Sequence, residues 1–299
     1  MQVSEEQKAK KNDISDDIRT KMSSFPSMPQ AVIKLRKLLK EDDVPLNKIE
    51  NILRQDPGLS ANILRLANSA HFGLSFKVGS LKKAVMLLGL KRFEQMAFSA
   101  YMEKSMDKAI EGYGLSPGEL WLHSILVATT AEAIAKYLKI PDPNEVFIPA
   151  LLHDMGKLIL DSFVKADLKN IQSLVAKGES WVSAENMIFG TEHAEIGALL
   201  LEKWSFPIEI VNSVRWHHDP EYLSSTHNRL QSPNMQSDIV YLSNLIFQSN
   251  GKKTSVDGKK VKPSSEVLER LGIKYDQYEI IAEKALSWES EITNTLSFE

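Results

Sequence analysis

The residues of this chain best suited to chemistry are histidines and an adjacent aspartate. His153 and Asp154 stand side by side in LLHDMGKLIL, a stretch that is apolar on both sides. Imidazole nitrogens and carboxylate oxygens suit divalent metals such as iron, manganese or zinc. An adjacent His-Asp pair can bind one ion through the imidazole while the carboxylate bridges to a second. Lys157, one helical turn after His153, could then neutralise charge on a phosphate.

Other histidines and one asparagine stand where the sequence pattern makes them candidates for the same site. His123 and Asn244 each share a predicted helix face with apolar residues, and His193 precedes apolar residues at helical spacing. His217 and His218 end a predicted helix. Each also has a simpler explanation. A single inward histidine is usually a hydrogen-bonded core residue, and positive charge is favoured at a helix C-terminus.

Two charged candidates, Glu119 and Lys157, can also be explained by structural roles that involve no metal or phosphate. Glu119 lies one helical turn before His123 on the same face and could be a further metal ligand. Together with Ser116 it also forms the pattern of a capping box, which is slightly favoured because it explains Glu119 without a metal. Lys157 could be a solvated side chain that merely follows Gly156.

These residues must be positioned by helices, because apolar residues recur at helical spacing and no period-2 strand pattern occurs. The predicted fold class is all-α. Asp56-Pro57 predicts a capped helix start, and Ser80 predicts another helix that Gly89 interrupts. Ser116-Pro117-Gly118-Glu119 predicts a long helix to about Leu138, with proline at its first position. Further helical segments are predicted near 142–160, 165–176, 180–189, 192–203, 207–216, 237–248 and from 275, with loops at 219–236 and 249–264.

Bulk composition argues against several classes of protein. The 299 residues carry a formal net charge of -3, which gives no general attraction to nucleic acid or anionic membranes. No apolar run approaches the roughly 20 residues that span a bilayer, and the polar start lacks the apolar stretch of a secretory signal. With no cysteine in the chain, disulfides and thiolate metal ligands are excluded. A cytoplasmic location is the expectation.

Three regions are predicted along the chain. Residues 1–24 are charged and weakly patterned, so a polar, partly helical lead-in is expected. Residues 25–115 form an N-terminal helical module that ends in a stretch rich in glycine. Residues 116–299 form a second helical domain with a C-terminal helix.

Several long segments resemble the HDOD family of bacterial signalling proteins, relatives of the HD-domain metal phosphohydrolases. The most specific segment is DPGLSANILRLANSA. The others are ELWLHSILVATTAEAIA, FIPALLHDMGKLIL and EHAEIGALLLEKWSFPIEIVNSVRWHHDP. The resemblance covers roughly residues 25–246. It implies an HDOD-type helical module over 25–115, packed on an HD-like helical bundle over 116–299.

The resemblance also implies a set of metal ligands. HD-type enzymes use a helix histidine, the His-Asp pair and a late aspartate, positions that fall here on His123, His153, Asp154 and Asn244. The HD-GYP branch, which hydrolyses cyclic di-GMP, adds a glutamate and three histidines, which fall on Glu119, His193, His217 and His218. The implied cofactor is one or two divalent ions of iron, manganese or zinc.

Two departures from this ligand pattern bear on catalysis. Asn244 replaces a carboxylate, so the site loses one negative charge and a stronger ligand. No Gly-Tyr-Pro element follows His217 and His218, which argues against cyclic di-GMP hydrolysis. The resemblance therefore favours a regulatory signalling module with a degenerate metal site. Such a module would act through a partner protein or a small nucleotide ligand rather than through catalysis.

Two alternative functions stay open. One is a metal-dependent phosphodiesterase or phosphohydrolase that acts on a nucleotide, with Lys157 contacting the phosphate. The other, ranked last, is nucleic-acid binding, which the overall charge opposes. The basic residues that would serve it are Lys77, Lys82, Lys83, Lys91 and Arg92.

Overall fold

The structure is a computed structural model that describes residues 5–28, 30–39, 41, 44–69, 77–221, 235–248 and 262–296. These residues form helices and no β-strand, apart from an isolated bridge between Ile110 and Leu115. The all-α prediction is therefore confirmed. No helix in these ranges is long and apolar enough to cross a bilayer. Most of the two predicted loops, 219–236 and 249–264, lies outside the described residues.

The helices follow the predicted segments closely. In chain order they are α1 Glu5–Ser24, α2 Gln30–Leu38, α3 Leu46–Leu53, α4 Pro57–Ala67, α5 Leu81–Met106, α6 Glu119–Tyr137, α7 Phe147–Leu152, α8 Lys157–Ala166, α9 Leu168–Ala176, α10 Trp181–Phe189, α11 His193–Lys203, α12 Ile208–Arg215, α13 Met235–Gln248, α14 Ser265–Leu271 and α15 Tyr275–Leu296. Short 3-10 helices span Glu111–Tyr113 and Pro143–Val146.

Two helix starts form as the local sequence predicts. Asp56 caps α4 by accepting the backbone N–H of Leu59 at 2.9 Å, and Pro57 is the first residue of that helix. Ser80 caps α5 in the same way. Gly89 interrupts α5 with a φ of 74°, a conformation that favours glycine because it has no Cβ.

The predicted capping box before α6 is only half correct. The helix begins at Glu119 rather than at Pro117, and Gly118 stands before it with a φ of 79°. This left-handed residue turns the chain just ahead of the helix, so Pro117 cannot be its first residue. The carboxylate of Glu119 accepts the backbone N–H of Ser116 at 2.6 Å, but no side chain caps the helix N-terminus in return.

The chain divides into two compact units. One unit comprises Met1–Pro26 and Lys108–Glu283, and the other comprises Ser27–Asp107 and Lys284–Glu299. In the second unit α5 packs against α2, α3 and α4, and its core includes the fully buried Ile63. The change of unit after Asp107 lies inside the glycine-rich stretch noted in the sequence.

The larger unit holds all of the candidate ligands. Here α6 packs against α7 and α13, and α12 packs against α7, α11 and α13. Helix α8 packs against α11. Val127 of α6, Leu151 of α7 and Leu201 of α11 are fully buried in this core. These packed helices carry the candidate side chains at their centres and ends.

Candidate metal centre

Helices and helix ends that are far apart in sequence supply the candidate ligands. They are His123 on α6, His153 and Asp154 in the turn between α7 and α8, His193 at the start of α11, His217 and His218 just after α12, and Asn244 on α13. Each of these side chains is buried except that of His218, which is half-buried. The structure therefore brings together imidazoles that lie between His123 and His218 in the sequence.

The imidazoles converge on the carboxylate of Asp154, which is 1% exposed. Its Oδ2 lies 3.3 Å from His153 Nε2 and 3.5 Å from His123 Nε2. Its Oδ1 lies 3.3 Å from His193 Nε2 and 3.8 Å from His217 Nε2. Asp154 thus separates two groups of potential ligands. We call them the Oδ2 half-site, with His123 and His153, and the Oδ1 half-site, with His193, His217 and His218.

Two of the histidines are oriented by the helices that they follow. His153 Nδ1 lies 2.7 Å from the carbonyl of Ala150, and His217 Nδ1 lies 2.6 Å from the carbonyl of Val214. The last carbonyls of a helix have no partner within the helix, so both are free to accept. Because a carbonyl can only accept, Nδ1 carries the hydrogen in each ring. The Nε2 atoms of His153 and His217 are therefore directed towards Asp154.

His193 is oriented by a carboxylate that the sequence analysis missed. Glu185 of α10 is fully buried, and its Oε2 accepts both the Nδ1–H and the backbone N–H of His193 at 2.8 Å. Its Oε1 accepts the hydroxyl of Tyr113 at 2.7 Å. Burial and the Glu185 carboxylate hold the pKa of Tyr113 well above its ordinary value, so the hydroxyl stays a donor. One feature of the sequence could have identified Glu185. It lies on the same helix face as the buried Trp181 and Ala184, and a buried carboxylate without a partner is costly, so a partner was to be expected.

Asp154 stays ionised because cations surround it. Burial alone would raise the pKa of Asp154, but His153 and Lys157 outweigh it and hold that pKa well below its ordinary value. Lys157 itself is 5% exposed, and its ammonium donates to Asp154 Oδ2 at 2.6 Å. The interpretation of Lys157 as a solvated side chain is therefore wrong. The lysine is part of the cluster.

The remaining histidines differ in protonation. Burial lowers the pKa of His123 to about 3 and the pKa values of His217 and His218 well below the ordinary range. These rings are neutral at pH 7, the form that binds metals. Burial also disfavours charge on His193, but Glu185 and Asp154 together outweigh it and raise the pKa of His193 to about 10. Without a metal, His193 thus donates its Nε2–H to His218 Nε2, 2.9 Å away.

The donor atoms fit a divalent metal. Asp154 Oδ1 and His217 Nε2 lie 3.8 Å apart, and both are buried without a hydrogen-bond partner. The buried Asn244, beside His123, offers an amide oxygen as a further donor atom. An unsatisfied buried polar atom costs about 1–3 kcal/mol, and a bound cation would remove that cost here. Nitrogen and oxygen donors of this kind suit iron, manganese and zinc.

Glu119 stands apart from this arrangement. Among the described residues, the clusters whose potential ligand atoms lie within 4.8 Å of one another do not include it. Its carboxylate accepts the backbone N–H of Ser116 instead. The contact agrees with the capping role that the sequence analysis favoured for Glu119.

The comparison with protein families matches this architecture. The HDOD domain profile matches residues 25–220 of the 299. The chain belongs to the HDOD domain family. The HDOD resemblance seen in the sequence is thereby confirmed, and the matched region contains every candidate ligand except Asn244.

Other proteins are similar to this HDOD chain at low sequence identity. An HDOD domain protein of Geobacter sulfurreducens, of unknown function, has a TM-score of 0.75 and 22% identity, covering 97% of this chain and 99% of that one. A candidate phosphohydrolase of Shewanella amazonensis SB2B has a TM-score of 0.70 and 23% identity, covering 93% and 97%. An uncharacterised protein of Treponema pallidum is 24% identical over 211 residues, which are 69% of this chain but only 40% of that protein. At this level of identity the solved structures show a shared fold.

Replacing Glu185 by glutamine is expected to weaken metal binding about 10- to 100-fold, the usual effect of losing the partner that orients a histidine ligand. The variant removes the carboxylate that fixes the Nδ1–H of His193. Tyr113→Phe is the matched control, because it removes only the hydrogen bond to the other oxygen of Glu185. Calorimetric titration with Zn2+ measures both affinities. Equal weakening in the two variants would contradict a specific role for Glu185.

Proposed function

We propose that this HDOD protein is a regulatory signalling module whose HD-like unit holds a metal centre that it does not use for hydrolysis. The observation that carries the proposal is the burial of five of the candidate ligands. His123, His153, Asp154, His193 and His217 are each at most 2% exposed. Structural metal sites are closed by protein ligands, whereas catalytic sites keep an open position for water or substrate.

The buried ion pair between Lys157 and Asp154 supports the same proposal. A phosphate-binding lysine must present its ammonium to the substrate. Here the ammonium is buried and bonded to Asp154, the carboxylate that would hold the metal. Moving Lys157 towards a phosphate would break this pair inside a site that admits little water. In the proposed role, metal binding stabilises one packing of the helices that meet at Asp154, and the module acts through a partner protein or a small ligand.

A second candidate function is a metal-dependent phosphohydrolase acting on a nucleotide. One observation favours it. The half-buried His218 is the most exposed of the histidines around Asp154, so a substrate would reach the metal from that side. The name of the Shewanella amazonensis protein, a candidate phosphohydrolase of similar fold, agrees with this alternative.

Metal analysis combined with an activity assay distinguishes the two functions. The protein is purified without chelator, its iron, manganese and zinc are quantified, and cyclic and linear nucleotides are assayed with each metal added. We expect bound metal and no turnover. We also expect thermal stabilisation, since a ligand present at 100 times its Kd contributes about 2.7 kcal/mol.

Metal-dependent turnover that disappears in Asp154→Asn would overturn the non-catalytic proposal in favour of the hydrolase. Asp276→Asn is the matched control for that variant, because Asp276 is an exposed carboxylate in the first turn of α15. A purified protein that binds none of these metals would remove the metal centre from the proposal.

A further inference from the structure

The two half-sites around Asp154 are not equivalent. At the Oδ2 half-site a cation is already present, because the Lys157 ammonium lies 2.6 Å from Oδ2. At the Oδ1 half-site the nearest group is the His193 ring, whose Nε2 lies 3.3 Å from the oxygen but donates its hydrogen to His218 and must release that hydrogen for a metal to bind. Asp154 Oδ1 and His217 Nε2 are therefore both buried without a hydrogen-bond partner. One oxygen of the same carboxylate is thus satisfied by a side chain, and the other is not.

We infer that the chain binds a single divalent ion at the Oδ1 half-site, held by Asp154, His193, His217 and His218, while Lys157 takes the place of a second ion at the Oδ2 half-site. This inference rests on the proposed metal centre and specifies where its ion lies. In this arrangement His193, His217 and His218 bind the ion together with Asp154. His123 and His153 pack around the ion pair formed by Asp154 and Lys157.

The charges that contact the cluster favour one ion over two. Asp154, Glu185 and Glu192 are carboxylates and Lys157 is positive, so with the carboxylates ionised and all imidazoles neutral these groups carry a total charge of minus two. One divalent ion changes that total to zero, and a second would change it to plus two. Uncompensated charge in a site of this burial is costly, and the cost rises steeply with the second ion.

The ligand atoms of the two half-sites also favour binding of the ion at the Oδ1 half-site. The Oδ1 half-site combines three imidazoles with a carboxylate oxygen, and Glu185 places a second negative charge directly behind His193. At the Oδ2 half-site the side chain beside His123 is that of Asn244, a neutral amide. The Oδ1 half-site therefore has more imidazole donors and more negative charge.

The rings of the Oδ2 half-site also satisfy each other. The Nε2 atoms of His123 and His153 are 3.2 Å apart. Because His153 donates its Nδ1–H to the carbonyl of Ala150, its Nε2 is left to share a hydrogen with the Nε2 of His123. With the lysine on the adjacent oxygen, Asp154 Oδ2 and the two Nε2 atoms of this half-site are paired without a metal, whereas His123 Nδ1 and Asn244 Oδ1 are not.

Titration of the metal-free protein with Co2+ tests this inference. Calorimetry and elemental analysis give the number of ions per chain, and the visible absorption of bound Co2+ reports its ligands. We expect one ion per chain. His217→Ala should weaken binding about 100-fold or more, since a ligand is worth at least as much as the partner that orients it. The matched variant His123→Ala, in the other half-site, should keep one ion with nearly unchanged absorption.

Circular dichroism and thermal unfolding of each variant show that it is folded before its affinity is compared. Two ions per chain in the unchanged protein, or the loss of the ion in folded His123→Ala, would overturn the inference while leaving the proposed metal centre intact. No binding of Co2+, iron, manganese or zinc would overturn both.

A gain of metal binding provides a second test that does not depend on damaging the site. Lys157→Met keeps the apolar stem of the lysine and removes its charge, and Asn244→Asp adds a carboxylate beside His123. The double variant should bind two Co2+ ions per chain. If it folds and still binds only one ion, then Lys157 is not what excludes the second ion, and that part of the inference is wrong.

Discussion

Replacing Asp154 by asparagine is expected to abolish metal binding and to destabilise the metal-free protein by about 3–5 kcal/mol, the usual cost of breaking a buried ion pair. Asparagine has nearly the same shape, so the change removes charge rather than volume. Asp154 is the carboxylate on which the imidazoles converge, and it is also the partner of the buried Lys157 ammonium. Without it, the ammonium is left in the core with no counter-charge.

The pH dependence of this effect follows from the pKa of Asp154. His153 and Lys157 hold that pKa well below its ordinary value in the folded protein. The contribution of Asp154 to stability is therefore fully present at any pH above the pKa that Asp154 has in the unfolded chain. The contribution is lost as the pH falls through the lower pKa that Asp154 has in the folded protein. The difference between the unchanged protein and Asp154→Asn should therefore be constant near neutral pH and shrink in acid.

A double variant separates the ion pair from the metal site. Adding Lys157→Met to Asp154→Asn removes the unpaired ammonium, so chemical denaturation in the presence of chelator should show recovered stability while metal binding stays absent. Such non-additivity is expected for residues in direct contact. Near-normal metal affinity in Asp154→Asn would show that the imidazoles do not depend on this carboxylate.

Replacing Gly156 by alanine is expected to destabilise the larger unit by about 3 kcal/mol or more, at the upper end of the usual cost of overpacking, and to weaken metal binding. A Cβ at this position would lie 1.8 Å from the carbonyl oxygen of His193 and 2.8 Å from the backbone N of Gly197. Both are backbone atoms of α11, so the helix itself would have to move. The φ of Gly156 is -61°, an ordinary helical value, so the requirement is for space rather than for unusual backbone geometry.

This close approach places His193 beside Asp154. Helix α11 begins at His193, and displacing it would lengthen the 3.3 Å separation between His193 Nε2 and Asp154 Oδ1. Gly79→Ala is the control, because a Cβ at Gly79 would have nothing within 4 Å. Thermal unfolding and Zn2+ titration of both variants test the expectation. Unchanged stability and affinity in Gly156→Ala would mean that α11 accommodates the methyl group without disturbing the site.

Local sequence was sufficient to predict much of the secondary structure. Asp56-Pro57 and Gly89 act within a few residues of themselves, through a capping hydrogen bond and a left-handed φ, so their effects could be predicted without knowledge of distant parts of the chain. The start of α6 was placed too early, because nothing local distinguishes Pro117 as the first helical residue from Pro117 in the turn that Gly118 completes.

The sequence by itself determined that this is an all-helical HDOD protein with a particular set of histidines around a His-Asp pair. Residue types, helical periodicity and specific segments carry that information directly. Only the tertiary structure decided that the imidazoles share one carboxylate, that Lys157 is buried against it, and that Glu185 orients His193. The imidazoles come from elements that are tens of residues apart, and their convergence depends on how closely backbones approach at positions such as Gly156. Spacing along the chain does not encode that approach.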